Sequence, residues 1–299
     1  MSVTSAARAA RIPPEVRIRR IGGWLLRGIL FAVIVAVFAG PLIGIMATAF
    51  SGSVHKPSEL DFIPSDLTLD QLRAAFHRGA GRYLLNSVIV VAVGLVLQVS
   101  VSALAAYSLA RKRFRGASIV LLVILSTMML PEEVIAIPLY LVLRAVPLAP
   151  GVSVNLLNTH AGMILPVVGW AFSIFILTQF MRTIPVELEE SARIDGAGEL
   201  TIFLRIILPL CRPALGTAAV FGFIMIWDQY LLPLLVAQDP RMATMPLALA
   251  QFHQTADTEN VGSGLIMAAS FLAMVPTIIA YLAMQRFYNR GLLTGAVKG

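Results

Sequence analysis

Residues Thr183 to Pro209 read TIPVELEESARIDGAGELTIFLRIILP. Pro185 suits a first helical turn, where a missing N–H is no loss. Glu187, Glu189 and Glu190 follow, and carboxylates favour the positive end of a helix. Gly196 and Gly198 then end that helix and allow a sharp turn. A second helix is predicted from Glu199, with Leu200, Phe203, Leu204 and Ile207 at helical spacing on one face. Pro209 marks the passage into the next segment. The stretch reads as a helix–turn–helix with an apolar stripe on each arm. Long uncharged runs flank it on both sides, so it lies at the surface of a bundle that is itself embedded in lipid.

Composition supports that embedding. Of 299 residues, 58% are hydrophobic and 13% are charged, about half the usual charged share, and the mean hydropathy is +0.83. A soluble globule of this length cannot hide that much apolar surface, which argues against a soluble enzyme, a nucleic-acid-binding protein and a disordered chain. A helix needs about 20 apolar residues to cross about 30 Å of hydrocarbon. Six runs qualify: Gly28–Phe50, Tyr83–Ala110, Gly116–Leu143, Ala161–Met181, Pro213–Ala237 and Asn260–Gln285. The third is interrupted by Glu132 and Glu133, the fifth by Asp228. Pro147, Pro150, Gly151, Asn155 and Asn158 read as loop before the fourth span. Met242–Ala256 is uncharged but polar in part, and reads as an external loop with some helix. The first span has a basic flank and an Ala47-Thr48-Ala49 triplet, but its apolar stretch is longer than that of a signal peptide, so it reads as an uncleaved anchor.

The fold class is therefore all-α, a polytopic membrane protein with six transmembrane helices. Six spans place both termini on one side. If that side is the cytoplasm, 17 of the 23 Lys and Arg residues lie inside, and Lys56, Arg73, Arg78, Arg82, Arg144 and Arg241 lie outside. Positive charge resists translocation, so the bias fits a cytoplasmic N-terminus. The short loop Arg111–Arg115 votes the same way. This divides the chain into a basic N-tail (1–27), the first span (28–50), an extracytoplasmic loop (51–82), a core of spans two to six (83–286) and a cytoplasmic C-tail (287–299). The core contains the hairpin 183–209 and an extracytoplasmic loop 238–259. In the first external loop, Thr68 and Gln71 form a capping-box pattern that opens a short helix with Leu69, Leu72 and Phe76 apolar.

The hairpin carries five of the 16 acids, Glu187, Glu189, Glu190, Asp195 and Glu199, against Arg193 and Arg205. One reading is an amphipathic hairpin lying on lipid, but such elements usually carry Lys and Arg on their polar face. An acidic surface element fits a protein partner better.

These residues resemble the inner-membrane permease subunits of ABC importers, which share a loop of pattern E-A-A, three residues, G, nine residues, I-x-L-P. Here Glu190-Ser191-Ala192 is followed at the family's spacing by Gly196, Ile206, Leu208 and Pro209; Ser191 is the one departure. Asp195-Gly196-Ala197, Pro138-Leu139-Tyr140, Trp227-Asp228-Gln229-Tyr230 with Pro233, and the tail Arg290–Gly299 resemble the carbohydrate, maltose-type branch. The resemblance covers roughly residues 24–299. It implies the type I importer permease fold, with both termini cytoplasmic, in the bacterial plasma membrane. It also implies that the hairpin docks on an ATPase subunit, with Leu188, Glu190, Ser191, Ala192, Asp195 and Gly196 at the joint and Gly291–Gly299 as a second docking candidate. A homologous second permease subunit, two ATPase subunits and an extracytoplasmic substrate-binding protein would complete the machine. The external loop 238–259 would meet the loaded binding protein, with Asp239, Arg241, Gln251 and His253 as candidates.

An importer needs an energy source. A phosphate-binding loop requires lysine between glycine and Ser or Thr, and Lys56, Lys112 and Lys298 all lack that setting. The chain is thus expected to be no enzyme and to hold no cofactor; ATP and Mg would be bound by the partner ATPase subunits. No catalytic set and no metal cluster is evident. One cysteine, Cys211, excludes an internal disulfide. His55, His77, His160 and His253 all read as solvated loop residues.

An acid at mid-membrane costs about 2.5–3.5 kcal/mol on insertion scales, so such groups usually face a cavity or a partner. Glu132 and Glu133, bracketed by Pro131 and Pro138, and Asp228 with Trp227, Gln229 and Tyr230, are candidates for a polar translocation path, the aromatics suiting a sugar. The acids equally suit pairing with the partner subunit, and the aromatics an interfacial belt. Trp170 reads as packing. The expected cargo is a sugar or related polyol; an amino-sugar or a glycerol-phosphate-type compound is the alternative. A secondary transporter would show inverted repeats and no docking hairpin, and an intramembrane enzyme would need a catalytic pair.

Overall fold

A computed structural model describes residues 14–52, 66–112, 114–259 and 263–296. The N-tail up to Pro13, most of the first external loop with His55 and Lys56, and Lys298 lie outside them. The described residues are mostly helical. Three helices are long and apolar enough to cross a membrane unbroken: α1 (Pro14–Ala49), α3 (Ala80–Arg111) and α14 (Ser263–Ala296). Their apolar side chains are largely uncovered, as with Phe31 and Phe38 on α1, which suits a hydrocarbon solvent rather than water.

The other candidate spans are bent pairs, so among the described residues the helices long and apolar enough to cross number three, or up to six if each pair is one span. The third run breaks sharply. After α4 (Ala117–Ser126) and a 3-10 turn to Met129, α5 (Glu132–Arg144) leaves at 107°. The cause is Pro131, which pushes Leu130 into the extended region (φ −84°, ψ 123°) and ends the helix. In the fourth run, α6 (His160–Ile164), extended by a 3-10 turn to Val167, meets α7 (Ala171–Arg182) at 40°. The fifth run, Pro213–Ala237, is two helices rather than one. The hairpin's second arm, α9 (Glu199–Ile202) to α10 (Leu208–Leu210), joins α11 (Arg212–Trp227) at 76°, and α11 stops at Trp227 before α12 (Leu231–Val236).

Three smaller expectations are corrected. The short helix α2 (Asp70–His77) has Leu69 as its N-cap, and no side chain caps it, so the Thr68–Gln71 box does not form; Gln71 instead lies against Gly264 of α14. The segment before the fourth span is not plain loop: β1 (Val146–Ala149) and β2 (Val152–Val154) pair antiparallel across Gly151. His160 is half-buried and bonds Asn86 at 3.2 Å, so it is not a solvated residue. The external loop holds α13 (Met245–Glu259), packed by Met245, Ala248 and Phe252 beside α14 residues Leu265 and Ala268.

Candidate functional site

The hairpin is built by a specific helix stop. In α8 (Glu187–Ile194) the last turn is closed by Gly196 N–H to Arg193 O at 3.0 Å and Ala197 N–H to Ala192 O at 2.9 Å. Those two bonds are the Schellman pattern, which needs a left-handed residue between them. Gly196 supplies it with φ +82°. Gly198, expected to share this role, has φ −73°, a value open to any residue; it is simply the N-cap of α9.

The second arm corrects the expected stripe. Phe203–Ile207 is wound as π-helix, which shifts the facing register. Ile202, Phe203 and Ile207 are buried, whereas Leu200 and Leu204 are exposed. The exposed face of the hairpin therefore carries Leu188, Ile194 (87% exposed) and Leu200 beside Glu190, Ser191, Asp195 and Gly196. Ala192 instead turns inward, into a core shared with Tyr107, Met181 and Phe203.

Nor are the hairpin's acids all on its surface. Glu189 is only 2% exposed and pairs with Arg111, itself 5% exposed, at 2.8 Å between Oε1 and Nε. That approach is a charge contact rather than an aligned hydrogen bond. Arg193 Nη2 donates to the other oxygen of Glu189 at 3.1 Å and reaches Glu199 at 3.5 Å. Arg111 Nη2 donates to Ile184 O at 2.7 Å. Lys112 pairs with Glu199 at 2.6 Å, and the Tyr107 hydroxyl donates to the same oxygen at 2.9 Å. Those two bonds, Lys112 first, hold the Glu199 carboxyl below its ordinary value. Sequence spacing gave no sign of this, because Arg111 and Glu189 belong to distant segments.

The polar residues within the spans do not act as one group. A cavity of about 420 Å³ opens between the bent third, fourth and fifth runs, with Glu132, Gln229 and Trp170 among its lining residues. Gln229 Oε1 is buried without a protein partner, and its Nε2 makes only a long contact to Met225 Sδ at 3.9 Å. Glu133 is exposed and outside the cavity lining. Trp227 is buried, stacked on Phe223 at 5.8 Å. Asp228 and Tyr230 are exposed, also outside the cavity lining. The Trp-Asp-Gln-Tyr run is thus split by the end of α11, which sends successive side chains in different directions. Trp170, read as packing, lines the cavity and also packs on Phe172 at 5.1 Å. The signal for it was the Gly169-Trp170 break in the fourth run.

Residues 98–294 match the family of binding-protein-dependent transport system inner membrane components. The chain is 33% identical over 283 residues to the arabinooligosaccharides transport system permease protein AraQ of Halalkalibacterium halodurans, covering 92% of this chain and 96% of that one. It is 31% identical over 258 residues to the sn-glycerol-3-phosphate transport system permease protein UgpE of Yersinia pestis bv. Antiqua, covering 84% and 89%. In fold it is similar to a chain of a bacterial ABC transporter involved in the import of the acidic polysaccharide alginate, with TM-score 0.73, 22% identity, and coverage of 91% and 98%. With two thirds of its length matched and near full-length relatives at this identity, the chain belongs to the family of binding-protein-dependent transport system inner membrane components.

Proposed function

We propose that the chain is one of two homologous permease subunits of an ABC importer in the bacterial plasma membrane, with six spans and both termini cytoplasmic. It would carry a sugar or related polyol delivered by an extracytoplasmic binding protein. Two partner ATPase subunits would bind ATP and Mg, and closure of the ATPase pair would pull on the hairpin. The exposed face around Glu190, Ser191, Asp195 and Gly196, edged by Leu188, Ile194 and Leu200, supports docking there. Large exposed apolar side chains interleaved with acids suit a protein cleft better than anionic lipid.

The observation that carries the cargo class is the 420 Å³ cavity. Among the described residues, its lining offers one acid, one amide, one indole and the Thr127 hydroxyl, and no basic residue. An indole face with a carboxylate and an amide side chain suits hydroxyl groups. A phosphate would meet Glu132 with nothing to neutralise it, so the glycerol-phosphate reading is disfavoured. An amino-sugar is the second reading, since Glu132 would pair with its ammonium group. Isothermal calorimetry on the purified cognate binding protein tests this: a neutral or amino-sugar ligand is expected, and selective binding of a phosphorylated ligand would overturn the assignment.

A further inference from the structure

Among the described residues, α3 is the one helix that meets the length and apolarity of a span without a break or an internal proline. α1 contains Pro41 and α14 contains Pro276, and the remaining runs are bent pairs. Such breaks and prolines are where helices kink, so among the described residues α3 is the one span that runs through the bundle without such a site. It is held at both ends by buried polar contacts. At its last turn, the Arg111 guanidinium grips the first arm of the hairpin at Glu189 and the segment before it at Ile184 O. Lys112 and Tyr107 hold the second arm through Glu199. At the opposite end, buried Asn86 donates to Arg241 O and Ala243 O, both at 2.9 Å. Ser87 Oγ accepts the Met245 N–H at 2.7 Å. Asn86 and Arg111 are about 37 Å apart along the axis at 1.5 Å per residue.

The placement is informative because a buried ion pair is a poor way to gain stability; an apolar pair of similar size often does as well. What it supplies is a fixed relation between two elements. The hairpin is joined by the chain to α7 and α11, and it meets α3 through these polar side chains and through an apolar cluster in which Ala103, Ala106 and Tyr107 of α3 share burial with Ala192, Ile202 and Phe203.

We propose that α3 is a connecting rod: Arg111 ties the hairpin to one end and Asn86 ties residues 241–245 to the other, so that hairpin movement reaches the external segment. This rests on the importer reading above, in which the hairpin meets an ATPase and the external loop meets the loaded binding protein. Arg111 and Asn86 are positioning residues. Coupling energies between distant sites are typically worth a factor of about 5 to 150, and the rod would carry part of that.

The test uses the assembled importer in proteoliposomes and reads the ratio of binding-protein-stimulated to basal ATP hydrolysis, which simple loss of stability does not change. Asn86→Ala is expected to lower that ratio by about tenfold while basal hydrolysis persists. Arg111→Cys with Glu189→Cys, in a Cys211→Ala background, is expected to lower it similarly. A short bis-methanethiosulfonate bridge between the two thiols is expected to restore it. A wild-type ratio in the unbridged variant overturns the rod, and so does a bridged complex that stays uncoupled. Absence of stimulated hydrolysis in the wild-type complex would overturn the importer reading itself, and the rod with it.

Discussion

The Ala197 N–H donates to the Ala192 carbonyl across 2.9 Å, and Gly196 lies between them at φ +82°. No atom approaches within 4 Å of the position a Cβ would take there. Substitution is therefore opposed by backbone strain and not by crowding. A left-handed L-residue costs about 1–2 kcal/mol, more for a β-branched one and less for asparagine. Gly196→Val is expected to lower ATP-driven uptake by about tenfold or more with the chain still inserted, and Gly196→Asn to stay much closer to wild type. Uptake assays normalised to membrane content check the order.

Gly222 of α11 faces Gln98 of α3. A Cβ at Gly222 would fall 2.5 Å from Gln98 Oε1 and 2.8 Å from Leu95 Cδ1. Gly222→Ala must therefore displace the Gln98 and Leu95 side chains or separate α11 from α3, at about 1–3 kcal/mol. A lower melting temperature in detergent is expected. Gln98→Ala should recover most of it when combined with Gly222→Ala, because the shortened side chain frees the space. Additive losses in the double variant would contradict this packing.

Much of this was legible in the residues. The apolar runs announced a membrane bundle, and Glu190, Gly196 and Pro209 marked the hairpin and its stop. What stayed hidden depends on contacts far apart in the chain. Nothing local to Arg111 announces Glu189, and the positive-inside count treats it as one more loop cation. The expected stripe on the second arm is divided, with Phe203 and Ile207 inward and Leu200 and Leu204 outward, and the π-helical winding of Phe203–Ile207 is not announced by a strict 3.6-residue period. Trp227 is buried where α11 ends, and Trp170 lines the cavity where the fourth run breaks, a placement that local sequence does not announce.

The Lys112–Glu199 contact gives a pH dependence. Glu199 titrates below its ordinary 4.5 in the folded chain. Its stabilisation is therefore fully present above that value and is lost as the pH falls through the lowered one. Both groups are about half exposed, so the effect is small. Amide exchange of the second arm, 199–207, taken relative to the intrinsic rate at each pH, is expected to accelerate on acidification in the wild type. It should be faster and less pH-dependent in Lys112→Met.

For the cavity, Trp170→Ala is expected to reduce transport about 2- to 10-fold, the worth of an aromatic contact of 0.5–1.5 kcal/mol. Glu132→Gln should alter selectivity among neutral and amino-sugars. Asp228→Ala, outside the lining, should transport almost normally. Uptake kinetics on all three, with equal assembly, decide between the cavity and the Trp-Asp-Gln-Tyr run as the path.

Uptake by purified complexes in proteoliposomes, with ATP or an ion gradient as the sole energy source, tests the central claim most directly. The expected result is uptake that needs ATP, the partner ATPases and the loaded binding protein, and that Gly196→Val lowers by about tenfold or more while the complex stays assembled. Uptake by this chain alone, driven by an ion gradient without ATP, would contradict the account.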